Sequence, residues 1–419
     1  MRFSKYIILE EHKMNILCLD RFTNGNRTGR SVHIYEVISN LSKLGHEIVL
    51  LNRDYRDDDG DINPENQTIK PVRGQKPKWH SWPLIGNLNG EIAILAIWAA
   101  EMRTVAIAFM TIVTRHKRFD VIYRRSTAIN FSWVLSRFFK IPLVIEVNGI
   151  ITDELKKGNW GDAFSLWVFD KMGDRTIKKA DRIITVTPKL KDILSTDFSI
   201  QSDKITVIQN GVNTDIFRPM DMGKARETLS LNTQCNYICF VGNLLPWQGL
   251  EYAIRSMPNI LNAFPNTQLL IVGNGPMRQE LIDLARQIAV IDNVIFVGEI
   301  HHHKVPLYIN ASDICIALKR GLRSGYSPLK LCEYMACKKI VVASRDNGLE
   351  LVEESHGGFL ADSENVTEIT EVICKLLRNK ELRQQMGENG WKFVLANLSW
   401  TKVAGRVLEV FNNAVHNTP

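Results

Sequence analysis

The sequence predicts an α/β protein built as two doubly wound domains that face each other across a cleft. Three observations lead there. Short apolar runs alternate with helix-patterned stretches along the chain, which implies parallel sheets with helices on both faces. The pattern restarts after a turn at Asn210-Gly211 and a linker at residues 215–219. The chain has 419 residues, too many for one ordinary core.

The elements follow in order. Residues 15–20 read as a first strand, followed by a loop with Gly25 and Gly29 and a helix from about Arg30. Ile34, Val37, Ile38, Leu41 and Leu44 give that helix an apolar stripe, and Gly45 ends it. Further strands are expected at 47–51, 121–123, 143–147, 182–186 and 205–208. In the second half they are expected at 237–241, 269–272, 294–297, 314–317 and 340–343. Residues 365–415 read as consecutive helices. Ligands of such sheets bind at the carboxyl ends of the strands, so the cleft is the expected site.

The composition, 45% apolar and 23% charged, is that of a soluble globular protein. A net charge of +7 fits an acidic substrate or an anionic membrane surface and is too weak to argue for nucleic acid. Seven cysteines without a C-x-x-C read as free thiols in a reducing cytosol. No long apolar run precedes Met14, so no signal peptide is expected, and residues before it are expected to lie outside the fold.

Residues 92–114 are the most apolar stretch. Glu101 and Arg103 divide it into pieces shorter than the ~20 residues of a membrane-spanning helix. It reads either as a buried helix of the first domain or as a surface that touches lipid. Just before it, Lys70, Arg73, Lys76, Lys78, Trp79, His80 and Trp82 interleave basic and aromatic side chains, a composition suited to an anionic bilayer or to a solvated loop.

Residues 325–336, GYSPLKLCEYMA, are the most informative segment. They open a helix: Ser327 can cap it, and Pro328 suits its first turn. The free N–H groups at such an end form an anion site, Lys330 adds a positive charge, and Glu333 shares a face with Leu329 and Lys330. As a surface partner of Lys330, Glu333 would contribute about 0.2–0.5 kcal/mol. As a charged acceptor for a hydroxyl group in a cleft it would contribute about 1.5–3 kcal/mol per bond. Gly242 in GNLLPWQG and Gly275 in VGNGPM lie in turns that let backbone approach phosphate, although ordinary strand-to-helix turns have the same spacing. His301, His302 and His303 have no accompanying ligand cluster and read as the exposed start of a helix.

Seven segments in order resemble the family 4 retaining glycosyltransferases, which have the GT-B fold of two Rossmann-like domains. They are GRSVHIYEVISNLSKLGHEI, IPLVIEVNGI, ADRIITVTPKLKDIL with ITVIQNGVNTDIFRP, FVGNLLPWQGLEYAI, LLIVGNGPM, VIFVGEI and GYSPLKLCEYMACKKIVVAS. The resemblance implies an acceptor-binding domain at 14–213 and a nucleotide-sugar domain at 214–397. A C-terminal helix in 398–419 would return to the first domain. It implies that Glu333 binds the donor ribose and that the backbone at Leu329–Leu331 holds the diphosphate. The turn after Phe296, at Gly298, would meet the base, and Gly29 would close over the phosphates. It further implies a metal-independent, retaining hexosyltransferase with no cofactor, using a UDP- or GDP-sugar and a glycan, lipid or small-molecule acceptor. The expected setting is cell-envelope polysaccharide synthesis, in the cytoplasm or peripheral at the inner membrane face.

The chain also departs from the family pattern. Asn243 and Gln248 stand where many members carry an arginine and a lysine on the diphosphate. Gly325 replaces the first of two glutamates eight residues apart, and Asn148 takes the place of a histidine. Asn148 can orient a hydroxyl but cannot act as a base, and Glu146 is on a face that the sequence leaves open. Lys330, Lys319, Arg320 or Arg323 would offset the lost charge. Catalysis would rest on stabilising the leaving diphosphate through Lys330 and helix N–H groups. The departures leave two rivals open: a weakly active homologue acting as a binding subunit, or a sugar-nucleotide epimerase on the same fold. Loops at 52–89 are expected to choose the acceptor.

Overall fold

The computed structural model describes residues 13–20, 29–52, 69–73, 90–115, 117–127, 129–157, 162–327, 329–346 and 348–416. The segment before residue 13, the loop with Gly25, most of the acceptor-loop region and the Lys76–Trp82 cluster lie outside these residues.

The first domain has a seven-stranded parallel sheet in the order β3-β2-β1-β4-β5-β6-β7. Its strands are β1 (Asn15–Leu19), β2 (Glu47–Asn52), β3 (Ile69–Arg73), β4 (Val121–Arg125), β5 (Leu143–Val147), β6 (Arg182–Thr185) and β7 (Ile205–Val207). Its helices are α1 (Gly29–Lys43), α2 (Gly90–Thr114), α3 (Ser132–Phe139), α4 (Ile151–Lys157), α5 (Ala163–Lys178) and α6 (Pro188–Thr196). Strands β1, β2, β4, β5 and β6 are buried on both faces. Val144 of β5 and Tyr123 of β4 pack towards α1, whereas Ile145 and Ile122 pack towards the opposite layer with Ala108 of α2 and Leu135 of α3.

The second domain repeats the plan with six parallel strands in the order β10-β9-β8-β11-β12-β13. These are β8 (Asn236–Val241), β9 (Thr267–Val272), β10 (Val294–Gly298), β11 (Ile314–Ala317), β12 (Ile340–Ser344) and β13 (Gly358–Ala361). Its helices are α7 (Met222–Thr228), α8 (Leu250–Ala263), α9 (Arg278–Gln287), α10 (Val305–Ala311), α11 (Leu329–Ala336), α12 (Leu351–Glu354), α13 (Val366–Arg378) and α14 (Lys380–Asn397). The last helix, α15 (Trp400–His416), packs on α1 and the first sheet. The fold is thus the doubly wound pair that the alternation predicts.

The periodicity missed two strands, β3 and β13, and both are sheet edges. Both carry a weak apolar signal: β3 includes Lys70 and Arg73, and β13 has four residues and opens on Gly358. β3 also contains Pro71, which lacks a ladder donor and demotes a strand reading. The reading of α2 as a buried helix is corrected as well. Only Glu101, Ala108 and Thr111 of its described side chains are fully buried, while Leu95, Trp98, Met102, Phe109, Met110 and Val113 are exposed. Glu101, expected to interrupt the apolar run, is held beneath the helix by a two-pronged pair with Arg124 of β4, at 2.6 Å for both contacts.

Candidate active site

The chain crosses between the domains twice, side by side. The Val212 N–H donates to the Leu398 carbonyl at 2.9 Å, and Asn213 Nδ2 donates to Glu36 of α1 at 2.8 Å. A Cβ on Gly211 would lie 2.8 Å from the Trp400 ring, so glycine is what permits this crossing. Trp400 itself is buried in the first domain's core. The crossing brings α11 towards the carboxyl end of the first sheet, and Leu329 packs against the first domain's core. The Ser327 hydroxyl pairs with the Asn210 side chain, and the Cys332 thiol contacts the Asn210 carbonyl at 3.6 Å.

Helix α11 is short but well anchored. Leu331 and Tyr334 are fully buried, and the Tyr334 hydroxyl accepts from the Val241 N–H at 2.9 Å. Lys330 points back over the β8 turn. Its amine donates to Gln248 Oε1 at 3.0 Å and lies 4.0 Å from the centre of the Phe240 ring. Gly242, at φ +139°, leaves the space, because a Cβ there would sit 2.9 Å from the Lys330 amine.

Lys319, at the end of β11, is the second amine of this cluster. It donates to the Ser327 carbonyl at 3.4 Å and lies over Tyr326. Burial lowers its amine from 10.5 to about 8, against the opposing charges of Glu154 and Asp346. Burial, then the charge of Lys319, pushes Lys330 well below the ordinary lysine range, with Glu333 opposing. Two neighbouring amines in poor contact with water favour an anion between them. The other candidates for replacing the missing charge are engaged elsewhere. Arg320 is held by Glu251 at 2.9 Å and Glu364 at 3.0 Å, and Arg323 pairs with Asp197.

One turn beyond Lys330, Glu333 is 8% exposed. His302 Nε2 lies 3.5 Å from its carboxylate, and the His302 ring meets Phe217 edge-on. The expectation that all three histidines are exposed is therefore corrected: His301 and His303 are, and His302 turns in against Glu333. A fold is needed to show this, because β10 and α11 are far apart in sequence. Among the described residues no group of three or more His, Cys, Asp or Glu side chains could hold a metal ion.

The glycine turns nest against one another. The Gly242 N–H donates to the Val272 carbonyl and Leu244 N–H to Asn274, both at 2.9 Å. A Cβ on Gly275 would lie 2.5 Å from the Leu244 carbonyl oxygen, so packing between the two turns already requires glycine there. Gly298, at φ +83°, has open space where its Cβ would be. Asn243 is exposed, whereas Gln248 is buried and occupied by Lys330. Gly325 has φ +71°, a left-handed conformation that a glutamate adopts only with strain. Gly29 is the first residue of α1.

On the first-domain side, Asn148 follows β5, and neither polar atom of its side chain has a hydrogen-bond partner among the described residues. Glu146 is settled by the fold. It faces α1, where His33 lies 2.6 Å from one carboxylate oxygen and the Tyr123 hydroxyl donates to the other. Burial alone would raise its pKa, but His33, Arg125 and Tyr123 outweigh burial and hold it at about 2. A small hollow of about 40 Å³ opens beside Val147 and Gly149, lined also by Thr127, Thr152, Phe169 and Gly173. Asp153 of α4 reaches across the cleft and accepts from the Ser324 N–H at 3.1 Å.

Comparison with known proteins agrees with this architecture. Residues 28–216 match Glycosyltransferase Family 4, and residues 221–393 match Glycosyl transferases group 1. The chain belongs to this family of GT-B glycosyltransferases. An uncharacterized glycosyltransferase of Methanocaldococcus jannaschii is 26% identical over 77% of this chain and 80% of its own. Sucrose-phosphate synthase of Thermosynechococcus elongatus has the same fold, with a TM-score of 0.75 and 19% identity over 96% of this chain and 99% of its own. Anabaena HepE in complex with UDP-glucose superposes with a TM-score of 0.70 and 18% identity, covering 96% of this chain and 100% of its own.

Proposed function

We propose that this glycosyltransferase moves a sugar from a nucleotide diphosphate sugar to a glycan, lipid or small-molecule acceptor with retention of configuration. The observation that carries the reading is the pair of amines beside the start of α11, Lys319 on the Ser327 carbonyl and Lys330 on Gln248, with Glu333 one turn further on. The amines and the helix N–H groups would neutralise charge that develops on the leaving diphosphate. Glu333, oriented by His302, would accept from the donor ribose, and the space at Gly298 would receive the base. HepE is solved with UDP-glucose, and both a UDP-sugar and a GDP-sugar stand as candidate donors. Glu146 is closed off by His33 and Tyr123, so the leaving phosphate would take the acceptor proton while Asn148 orients the acceptor hydroxyl. A cytoplasmic setting agrees with a cytoplasmic donor and with seven free thiols.

A thermal-shift screen of UDP-, GDP- and ADP-sugars tests the donor. The true donor raises the melting temperature by mass action, by about 2.7 kcal/mol of stability at ~100 times its Kd. Glu333→Gln is expected to weaken that binding about tenfold, the loss of one charge-assisted bond, with the unliganded melting temperature unchanged. No shift with any of the three, or an unaltered affinity in Glu333→Gln, would refute the assignment.

A further inference from the structure

Over its described side chains, residues 94–114, the exposed side of α2 is apolar. Leu95, Trp98, Met102, Phe109, Met110 and Val113 recur at helical spacing and are each 38–66% exposed. The other exposed positions of the described part of the helix, Ala99, Ala106 and Thr114, carry no charge. The stripe continues onto both neighbouring helices. Val134 and Phe138 extend it on α3, where the Phe109 ring lies 5.6 Å from the Phe138 ring. Phe164 and Trp167 extend it on α5, stacked at 6.3 Å.

A soluble monomer rarely leaves so continuous an apolar surface facing water. Residues 94–114 have the length and hydropathy of a membrane span, but only 17% of the most apolar window is buried in the protein. The helix cannot leave the sheet to cross a bilayer without breaking the buried Glu101–Arg124 pair, from which Glu101 also accepts the Phe131 N–H at 2.9 Å. Burial of one side against protein and exposure of an apolar other side is the pattern of a helix lying in an interface.

Charge identifies the occupant. The helices that flank the stripe carry exposed Arg137 and Lys140 on α3 and its end, and exposed Lys171, Arg175 and Lys178 on α5. The last three recur at i, i+4 and i+7, so they share a face. Among the exposed described residues of these two segments, Asp162 and Asp170 are the acids. Protein interfaces are depleted of lysine, whereas an apolar stripe flanked by lysine and arginine suits anionic headgroups over acyl chains. We infer that the α2–α3–α5 face docks on an anionic lipid bilayer, with the α2 stripe seated among the acyl chains and the basic residues on the headgroups. The amino ends of α2 and α5 lie at the carboxyl edge of the sheet, so the docked surface runs up to the mouth of the cleft. This inference concerns binding alone and stands apart from the transfer reaction.

Flotation of the full chain with phosphatidylcholine vesicles, with and without phosphatidylglycerol, tests it. The wild type should float with the anionic vesicles and do so less as salt rises. Met102→Glu/Met110→Glu/Phe138→Glu should lower that binding by about tenfold or more, and Arg175→Glu/Lys178→Glu should remove the preference for anionic lipid. All five side chains are exposed, so unchanged melting temperatures are expected, and the salt dependence of the wild type needs no variant. Failure of the wild type to float, or equal flotation of the triple variant, would overturn the inference. So would a wild-type dimer that the triple variant turns into a monomer, because the face would then be a contact between copies.

Discussion

Lys319 and Lys330 are two cations that repel each other in a poorly hydrated cleft, and their behaviour is testable one residue at a time. Lys330→Ala removes the amine nearest the start of α11. Transfer should slow by roughly 10²–10³-fold, the usual effect of losing one stabilising donor. The melting temperature should hold or rise, because a desolvated amine is also removed. A wild-type transfer rate would defeat this account of leaving-group stabilisation. Lys319 gives a pH signature. Folding lowers its amine from 10.5 to about 8, so between those values the unfolded chain binds more protons than the folded one. Without ligand, this residue therefore adds stability as pH rises from about 8 towards 10.5. A bound diphosphate favours the charged amine, so affinity should fall as pH rises through about 8. Calorimetric titration with UDP on either side of that pH measures it, and Lys319→Met should flatten the dependence. An affinity that is the same on both sides would show that Lys319 does not face the ligand.

At the scale of elements, the proposed donor side is bounded by glycine turns, some of which allow no extra atom. Gly249, at φ +65°, opens α8, and a Cβ there would fall 1.7 Å from the Leu318 carbonyl oxygen. Gly298, at φ +83°, is left-handed too but has no neighbour within 4 Å of its would-be Cβ. Denaturant titration should separate the two. Gly249→Ala should cost about 3 kcal/mol or more, combining strain with a backbone clash. Gly298→Ala should cost about 1–2 kcal/mol, from conformation alone. Equal costs would mean that the nested turns relax and do not constrain the site. Helix α11 shows why short elements suffice here. Eight residues with a buried Leu331 and Tyr334 fix the direction of Lys330 and Glu333 more firmly than a longer exposed helix could.

The whole molecule is joined by two parallel crossings and one returning helix. Trp400 fills the first domain's core beside His33, with the rings 5.1 Å apart, and closes over Gly211. Trp400→Ala should destabilise by about 3–5 kcal/mol, the cost of a large aromatic cavity. The loss should fall on the first domain. Hydrogen exchange should speed up in α1 and β4, while nucleotide affinity, which the proposed function assigns to the second domain, changes little. Uniform loss of protection in both domains would show that the two unfold as one unit.

Much of this protein was legible in one dimension. Parallel strands buried on both faces read as continuous apolar runs, and helices between them read as stripes, so the fold class follows from local periodicity. The helix opening at Leu329 that carries Lys330 and Glu333 was equally legible, because a helix start and the residues of its first turns are neighbours in sequence. The strands β3 and β13 were not, since one carries Pro71 and two cations in five residues and the other has only four residues opening on Gly358, whereas the edge strands β7 and β10 keep an apolar run. Other features depended on pairings over long distances in the chain. Tertiary structure turned Glu146 towards His33, brought His302 to Glu333, and tied Arg320 and Arg323 to other partners, which left Lys319 beside Lys330. It also decided the fate of α2. A helix apolar on all sides reads as buried whatever surrounds it, because periodicity records hydrophobicity and not the number of layers available to cover it. Only the packed fold shows that one side of α2 rests on the sheet through Glu101 and Arg124 and that the other is left uncovered.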